Sequence, residues 1–195
     1  MRLFLLGLAL GMGLMLLVHL TQRLGGWVAV GPGSGTLGQR EGLSLTLILG
    51  FSALEEWLFR GVLFHWLLPR IGPGPTLAAT SVVFGLLHAA NGVRPLTVFN
   101  AGLAGAAFGA ARLLTEGLAL PTGLHVGWNL MQWPVLGYPL YGVEREGFLR
   151  FPTLITSRPE GHWLLSGGTD GPEGSLLDTA AFGALFLVLL ARARL

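Results

Sequence analysis

Cysteine and lysine are both absent from this chain of 195 residues. Without cysteine there is no disulfide framework, no thiolate zinc site and no cysteine nucleophile; histidine and carboxylate remain as possible ligands, and the redox compartment is left open. All 12 basic residues are arginines, scattered singly, so a pI near 9.9 reflects no basic block and the pattern gives no support to nucleic acid as a partner. Charge of either sign is scarce: Asp, Glu, Lys and Arg make up 11% of the chain, against about 25% in soluble domains. Hydrophobic residues make up 52%, and mean hydropathy is +0.64. These values do not describe an ordinary soluble domain.

What is present in abundance is apolar sequence, in runs close to the roughly 20 residues that a bilayer-spanning helix needs. The expected architecture is therefore all-α: a single polytopic transmembrane helical bundle over 1–195, of about six spans. Residues 3–20 follow Arg2 and read as a retained helix, since no small-x-small cleavage site comes after them. The glycine-rich stretch 24–42 reads as a loop. The second span, 43–68, is closed by Pro69 and the GPGP of 72–75; at about 39 Å it exceeds the hydrocarbon core, so tilt or extension past the interface is expected. The third and fourth spans, 76–90 and 96–111, are short and rich in small residues. In the fourth, Ala101, Gly105 and Gly109 recur every four residues, a spacing that lets helix backbones approach and that carries no chemistry of its own. The fifth, 117–137, is interrupted by Pro121 and Pro134, and the sixth is 176–191. A long polar connection, 138–175, ends in SGGTDGPEGS.

Against this background ALEEWLFRG, residues 53–61, is anomalous, because it places Glu55, Glu56 and Arg60 within an apolar span. Each charge costs about 2.5 to 3.5 kcal/mol at mid-membrane, so the three must face one another or a wet cavity. Glu56 and Arg60 are four apart with the acid first, the favoured order for a helical ion pair. Glu55 lies about 100° around the helix from Glu56 and is left without a nearby partner. Intramembrane ionisable residues are functional by default, although a buried packing network would also account for the three.

Two more polar pairs lie on single helical faces: Phe84 with His88, and His125 with Asn129. A glutamate, two histidines and an asparagine from three spans converge only at a site between helices. Such a set has the donors to hold a divalent metal, Zn2+ for instance, through His88, His125 and Glu55. It equally has the groups to activate a water directly, with glutamate as base and His and Asn as oxyanion donors. His19 and His65 read as interfacial or core residues, His162 as a loop residue, and Glu173, the acid of GPEGS, as a loop or helix-start residue that is also a candidate for the rim of the site.

EEWLFR (EExxxR), FGLLH (FxxxH) and HVGWN (HxxxN), in this order on successive apolar segments, resemble the CPBP family of intramembrane proteases, which includes the type II CAAX prenyl endopeptidases (Rce1) and bacterial Abi proteins. The resemblance covers roughly 43–191. It implies that Glu55 is the general base for the hydrolytic water, that His88 helps to hold that water or a metal, that His125 and Asn129 stabilise the oxyanion, and that Glu56 and Arg60 order the site. The implied substrate is a membrane-associated or prenylated-type peptide or protein, met within a lipid bilayer. The motifs leave the metallo- and glutamate-protease alternatives open.

Other intramembrane proteases lack their motifs here. There is no HExxH, Asp170 and Asp178 are the sole aspartates and lie outside any GxGD, and Ser34 in GPGSG has no glycine two residues before it. The rivals are a non-catalytic scaffold or immunity-type protein that keeps the fold, and a small proton-coupled transporter, which internal repeats would favour and none is found. For orientation, Arg2, Arg70, Arg112, Arg192 and Arg194 fall on one side, and Arg23, Arg40, Arg94, Arg145, Arg150 and Arg158 on the other. Three of the latter are interleaved with acids in the long loop, which leaves a bias toward cytoplasmic termini in a bacterial inner membrane.

Overall fold

The computed structural model describes residues 1–33, 39–138 and 153–193. Residues 139–152 of the expected polar connection lie outside the described residues, as do Ser34 and the Arg145, Arg150 and Arg194 of the orientation argument. The chain is helical, and its long helices coincide with the six apolar runs: α1 (Arg2–Leu24), α2 (Gln39–Glu56) continuing through a π-helical segment (Trp57–Leu63) into α3 (Phe64–Ile71), α4 (Pro73–His88), α5 (Pro95–Thr115), α6 (Ala119–Leu130) with a π-helical extension (Met131–Val135), and α8 (Leu176–Arg192). A four-residue helix, α7 (Trp163–Ser166), precedes α8. Of these, α1 and α5 are by themselves long and apolar enough to cross a membrane.

The tightest crossing is between α1 and α6, and glycine makes it possible. A Cβ on Gly7 would lie 2.4 Å from Leu120 O, and on Gly11 2.2 Å from Leu124 O; from the other side, Gly123 and Gly127 meet Phe4 O and Leu8 O at 2.2 and 2.3 Å. Two small-xxx-small motifs thus face each other with backbone against backbone, the arrangement that brings helices together where lipid supplies no hydrophobic drive. Sequence reading locates such a stripe on α5 only. There Gly105 receives Phe84 and Arg60, and Gly109 receives Leu77 and Phe64. Met15, Phe108, Leu124, Trp128 and Phe182 join α1, α5, α6 and α8 in one core.

Two stretches expected as loop contain strand. Val28–Pro32 (β1) pairs antiparallel with Ile155–Pro159 (β2), Val30 opposite Ser157. The sequence signal is weak because β1 is five residues that include Gly31 and Pro32, in a stretch otherwise rich in glycine. The helix expected to end before Pro69 runs on to Ile71 and stops at Gly72, whose φ of +79° suits glycine. Pro121 does not interrupt α6; it sits in the first turn, where a missing N–H removes no helical bond.

The distribution of polarity is the reverse of a soluble domain. Glu56, Arg60, Gln22 and Gln132 are fully buried, while Leu17, Phe51, Leu54, Trp57, Val82 and Leu187 face outward. An outer surface of this kind is suited to lipid. Near one end His19 Nδ1 meets the Tyr138 hydroxyl at 2.9 Å, and that hydroxyl donates to Gln22 Oε1 at 2.9 Å. Burial raises the Tyr138 hydroxyl above its ordinary pKa, which keeps it a donor.

Candidate active site

The charged motif lies where the helix changes its winding: Glu55 and Glu56 end α2, and Arg60 is inside the π-helical segment. Such segments free backbone groups and recur at functional sites. Here the carbonyl of Arg60 accepts from Arg112 Nε on α5 at 3.2 Å.

Glu56 is the centre of the polar cluster. Its Oε1 accepts Arg60 Nη1 at 2.9 Å and His125 Nδ1 at 3.0 Å, so one carboxylate oxygen ties α2 and the π-helical segment to α6. Both members of the ion pair are fully buried. An isolated charge would be intolerable there; the guanidinium is held by Glu56, by Gly105 O through Nη2 at 2.7 Å, and by the Phe84 ring, 4.7 Å from Cζ, with Phe108 and Phe59 at 5.5 and 5.6 Å. The α5 small-residue stripe therefore does take part in the site, through the Gly105 carbonyl.

Glu55 differs from its neighbour. Its side chain is 42% exposed, and its Oε2 stands 3.8 Å from His125 Nε2, beyond hydrogen-bond distance. One glutamate is thus locked inside and the other is accessible. His125 itself is buried, stacked on Phe108 with centroids 5.1 Å apart and planes at 20°. One turn along, Asn129 Nδ2 is 2.8 Å from Ser52 Oγ on α2. His88, at the end of α4, bonds Phe84 O through Nδ1 at 2.7 Å, which leaves its Nε2 as the acceptor nitrogen; it lies within electrostatic reach of Glu55, His125 and Arg60.

Glu56, Arg60 and His125 are thus directly bonded, Glu55 stands 3.8 Å from His125, Asn129 joins α2 through Ser52, and His88 joins through Phe84, which touches Arg60, His88 and His125. Sequence reasoning misses Ser52, Gly105, Phe108 and Arg112. Ser52 alone leaves a signal, since it stands three and four residues before the glutamates and so shares their side of the helix. Glu173 is buried and, with Asp178 and Asn100, lines a small cavity of about 10 Å3 that His125 also bounds. An apolar groove of about 520 Å3 between α4 and α5 contains none of the six candidate site residues.

The donor types at Glu55, His88 and His125 suit zinc, but among the described residues no three His, Asp or Glu side chains are grouped closely enough to hold a metal ion. His125 Nδ1 is committed to Glu56, and its Nε2 is the atom left facing Glu55. As arranged, these residues do not fit a metal.

No curated protein and no solved structure matches the chain. Residues 41–131, the segment that contributes all of Glu55, Glu56, Arg60, His88, His125 and Asn129, match the family model described as type II CAAX prenyl endopeptidase Rce1-like, so this stretch of the chain is similar to that family.

Proposed function

We propose that the protein is an intramembrane endopeptidase, with α1, α2–α3, α4, α5, α6 and α8 forming six spans, that hydrolyses a peptide bond of a membrane-associated or prenylated-type substrate. The observation that carries this reading is the pairing of an accessible Glu55 with a buried Glu56–His125–Arg60 cluster on the Rce1-like segment.

Glu55 takes one proton from the hydrolytic water, whose remaining O–H donates a hydrogen bond to His88 Nε2. The water oxygen attacks the scissile carbonyl carbon, and the C=O electron pair moves onto oxygen. His125 and Asn129 donate to that oxyanion. His125 faces the oxyanion through Nε2 while its Nδ1 stays on Glu56. Collapse of the intermediate expels the amine, which takes the proton from Glu55. A positioned general base contributes about 10² to 10⁴ in rate, and each oxyanion donor about 10² to 10³. Glu56 and Arg60 touch no reacting atom; they hold the imidazole in place.

The test is cleavage by the purified protein in liposomes of a quenched-fluorescence peptide library, some members prenylated. The wild type is expected to cleave a subset, and Glu55→Gln to lose at least about 10²-fold while melting at the same temperature. A well-folded wild type that cleaves no member favours the non-catalytic scaffold reading instead, and a Glu55→Gln variant as active as wild type removes Glu55 from the role of general base.

A further inference from the structure

Asn129 is 5% exposed and its Oδ1 has no hydrogen-bond partner among the described residues, while its Nδ2 faces Ser52 Oγ. Drawn this way, the amide offers an acceptor to its surroundings and spends a donor on a hydroxyl. That polarity is wrong for stabilising an oxyanion, and the orphaned carbonyl is itself costly. A half-turn about the last torsion exchanges the two atoms with almost no change in shape.

The hydroxyl at position 52 indicates which way round the amide stands. Several hydroxyls elsewhere in these helices return their hydrogen to the carbonyl one turn earlier: Thr46 to Gly42 O at 2.9 Å, Thr80 to Thr76 O at 2.9 Å, Ser81 to Leu77 O at 2.7 Å, whereas Thr179 donates to the side-chain oxygen of Asn100 at 2.6 Å. Ser52, 2% exposed and in mid-helix, makes no such bond. Its hydrogen is uncommitted, and among the described residues the group at bonding distance from it is the Asn129 amide. A hydroxyl that keeps its proton beside an amide donates to the amide oxygen.

We propose that Ser52 is a positioning residue of the site: its O–H donates to Asn129 Oδ1 and thereby turns the Asn129 NH2 toward the reacting carbonyl. This rests on the peptidase reading above for its consequence in catalysis, though not for the orientation itself. It satisfies the buried Oδ1 and gives Ser52 an acceptor. It also couples the oxyanion donor on α6 to the same helix that carries Glu55, one turn from the base.

Two measurements test it. With a cleaved peptide in hand, Ser52→Ala is expected to lower kcat about 10-fold with KM and melting temperature nearly unchanged, and Ser52→Thr, which keeps the hydroxyl, to restore most of it. The Ser52→Ala/Asn129→Ala double variant should be no slower than Asn129→Ala alone, because Ser52 acts only through that amide. Unchanged kcat in Ser52→Ala, or full additivity in the double variant, overturns the proposal while leaving the peptidase reading intact. The second measurement needs no substrate. The chain has three asparagines (Asn91, Asn100 and Asn129), so selective labelling resolves their side-chain amides by NMR. The Asn129 NH2 protons should show no bond-length contact with Ser52 in the wild type and should shift in Ser52→Ala, where nothing holds the amide oxygen; amide protons held on Ser52 Oγ, or left unmoved by Ser52→Ala, overturn the assignment.

Discussion

His125 Nδ1 and Glu56 Oε1 are 3.0 Å apart, and the same carboxylate oxygen receives Arg60 at 2.9 Å. A carboxylate on the far nitrogen of a histidine fixes the tautomer and aims the near nitrogen, and here the near nitrogen faces Glu55. The two adjacent glutamates therefore have separable tasks.

That separation is measurable. Glu55→Gln should abolish cleavage without changing stability, because the side chain is partly exposed and makes no short hydrogen bond. Glu56→Gln should lower both, since it leaves Arg60 buried without its counter-charge, a change that costs about 3 to 5 kcal/mol in comparable pairs. Thermal unfolding in detergent, run beside the cleavage assay, separates the two; equal melting temperatures for the variants would show that Glu56 has no structural role.

The α1–α6 crossing predicts a second contrast. Gly123→Ala and Gly127→Ala would press a methyl group to within 2.2 and 2.3 Å of backbone oxygens on α1, so the helices must separate. Because His125 lies between these glycines, both variants should lose folded protein and activity together. Gly13→Ala, with nothing within 4 Å of its new carbon, should be neutral. Yield of monodisperse protein and helix content report the difference.

The donor arrangement predicts the response to chelators. Since Glu55, His88 and His125 are not grouped as a three-ligand site, cleavage should persist in a strong chelator. Activity lost to the chelator and regained only with added zinc would mean that the three side chains regroup around an ion.

Orientation is open to a direct test, helped by the absence of native cysteine. Arg70 and Arg158 are both exposed. With cytoplasmic termini, Arg70→Cys should be protected from a membrane-impermeant thiol reagent in intact cells, and Arg158→Cys should react. The reverse pattern would invert the topology.

Much of the helix layout is legible in the order of residues alone, and so are the six motif residues. Helix-forming runs are set by local composition, and the pairing of Glu56 with Arg60 follows from 3.6 residues per turn, which fixes which side chains meet on one helix. Glu55 and His125 can be named as partners in chemistry on similar grounds: a charge or histidine in an apolar span has few tolerable uses.

Relationships between helices come from the packing of the bundle. Nothing local states that His125 binds Glu56 rather than Glu55, that Gly105 lends its carbonyl to Arg60, or that Ser52 meets Asn129. The β1–β2 ribbon likewise joins segments far apart in the chain, each too short to declare itself. Such contacts depend on the register and crossing of helices, which arise across the whole bundle: glycine against backbone between α1 and α6, and aromatic rings around one buried guanidinium. The residue order thus supplies the groups available for chemistry, and the packing of the helices selects which of them touch.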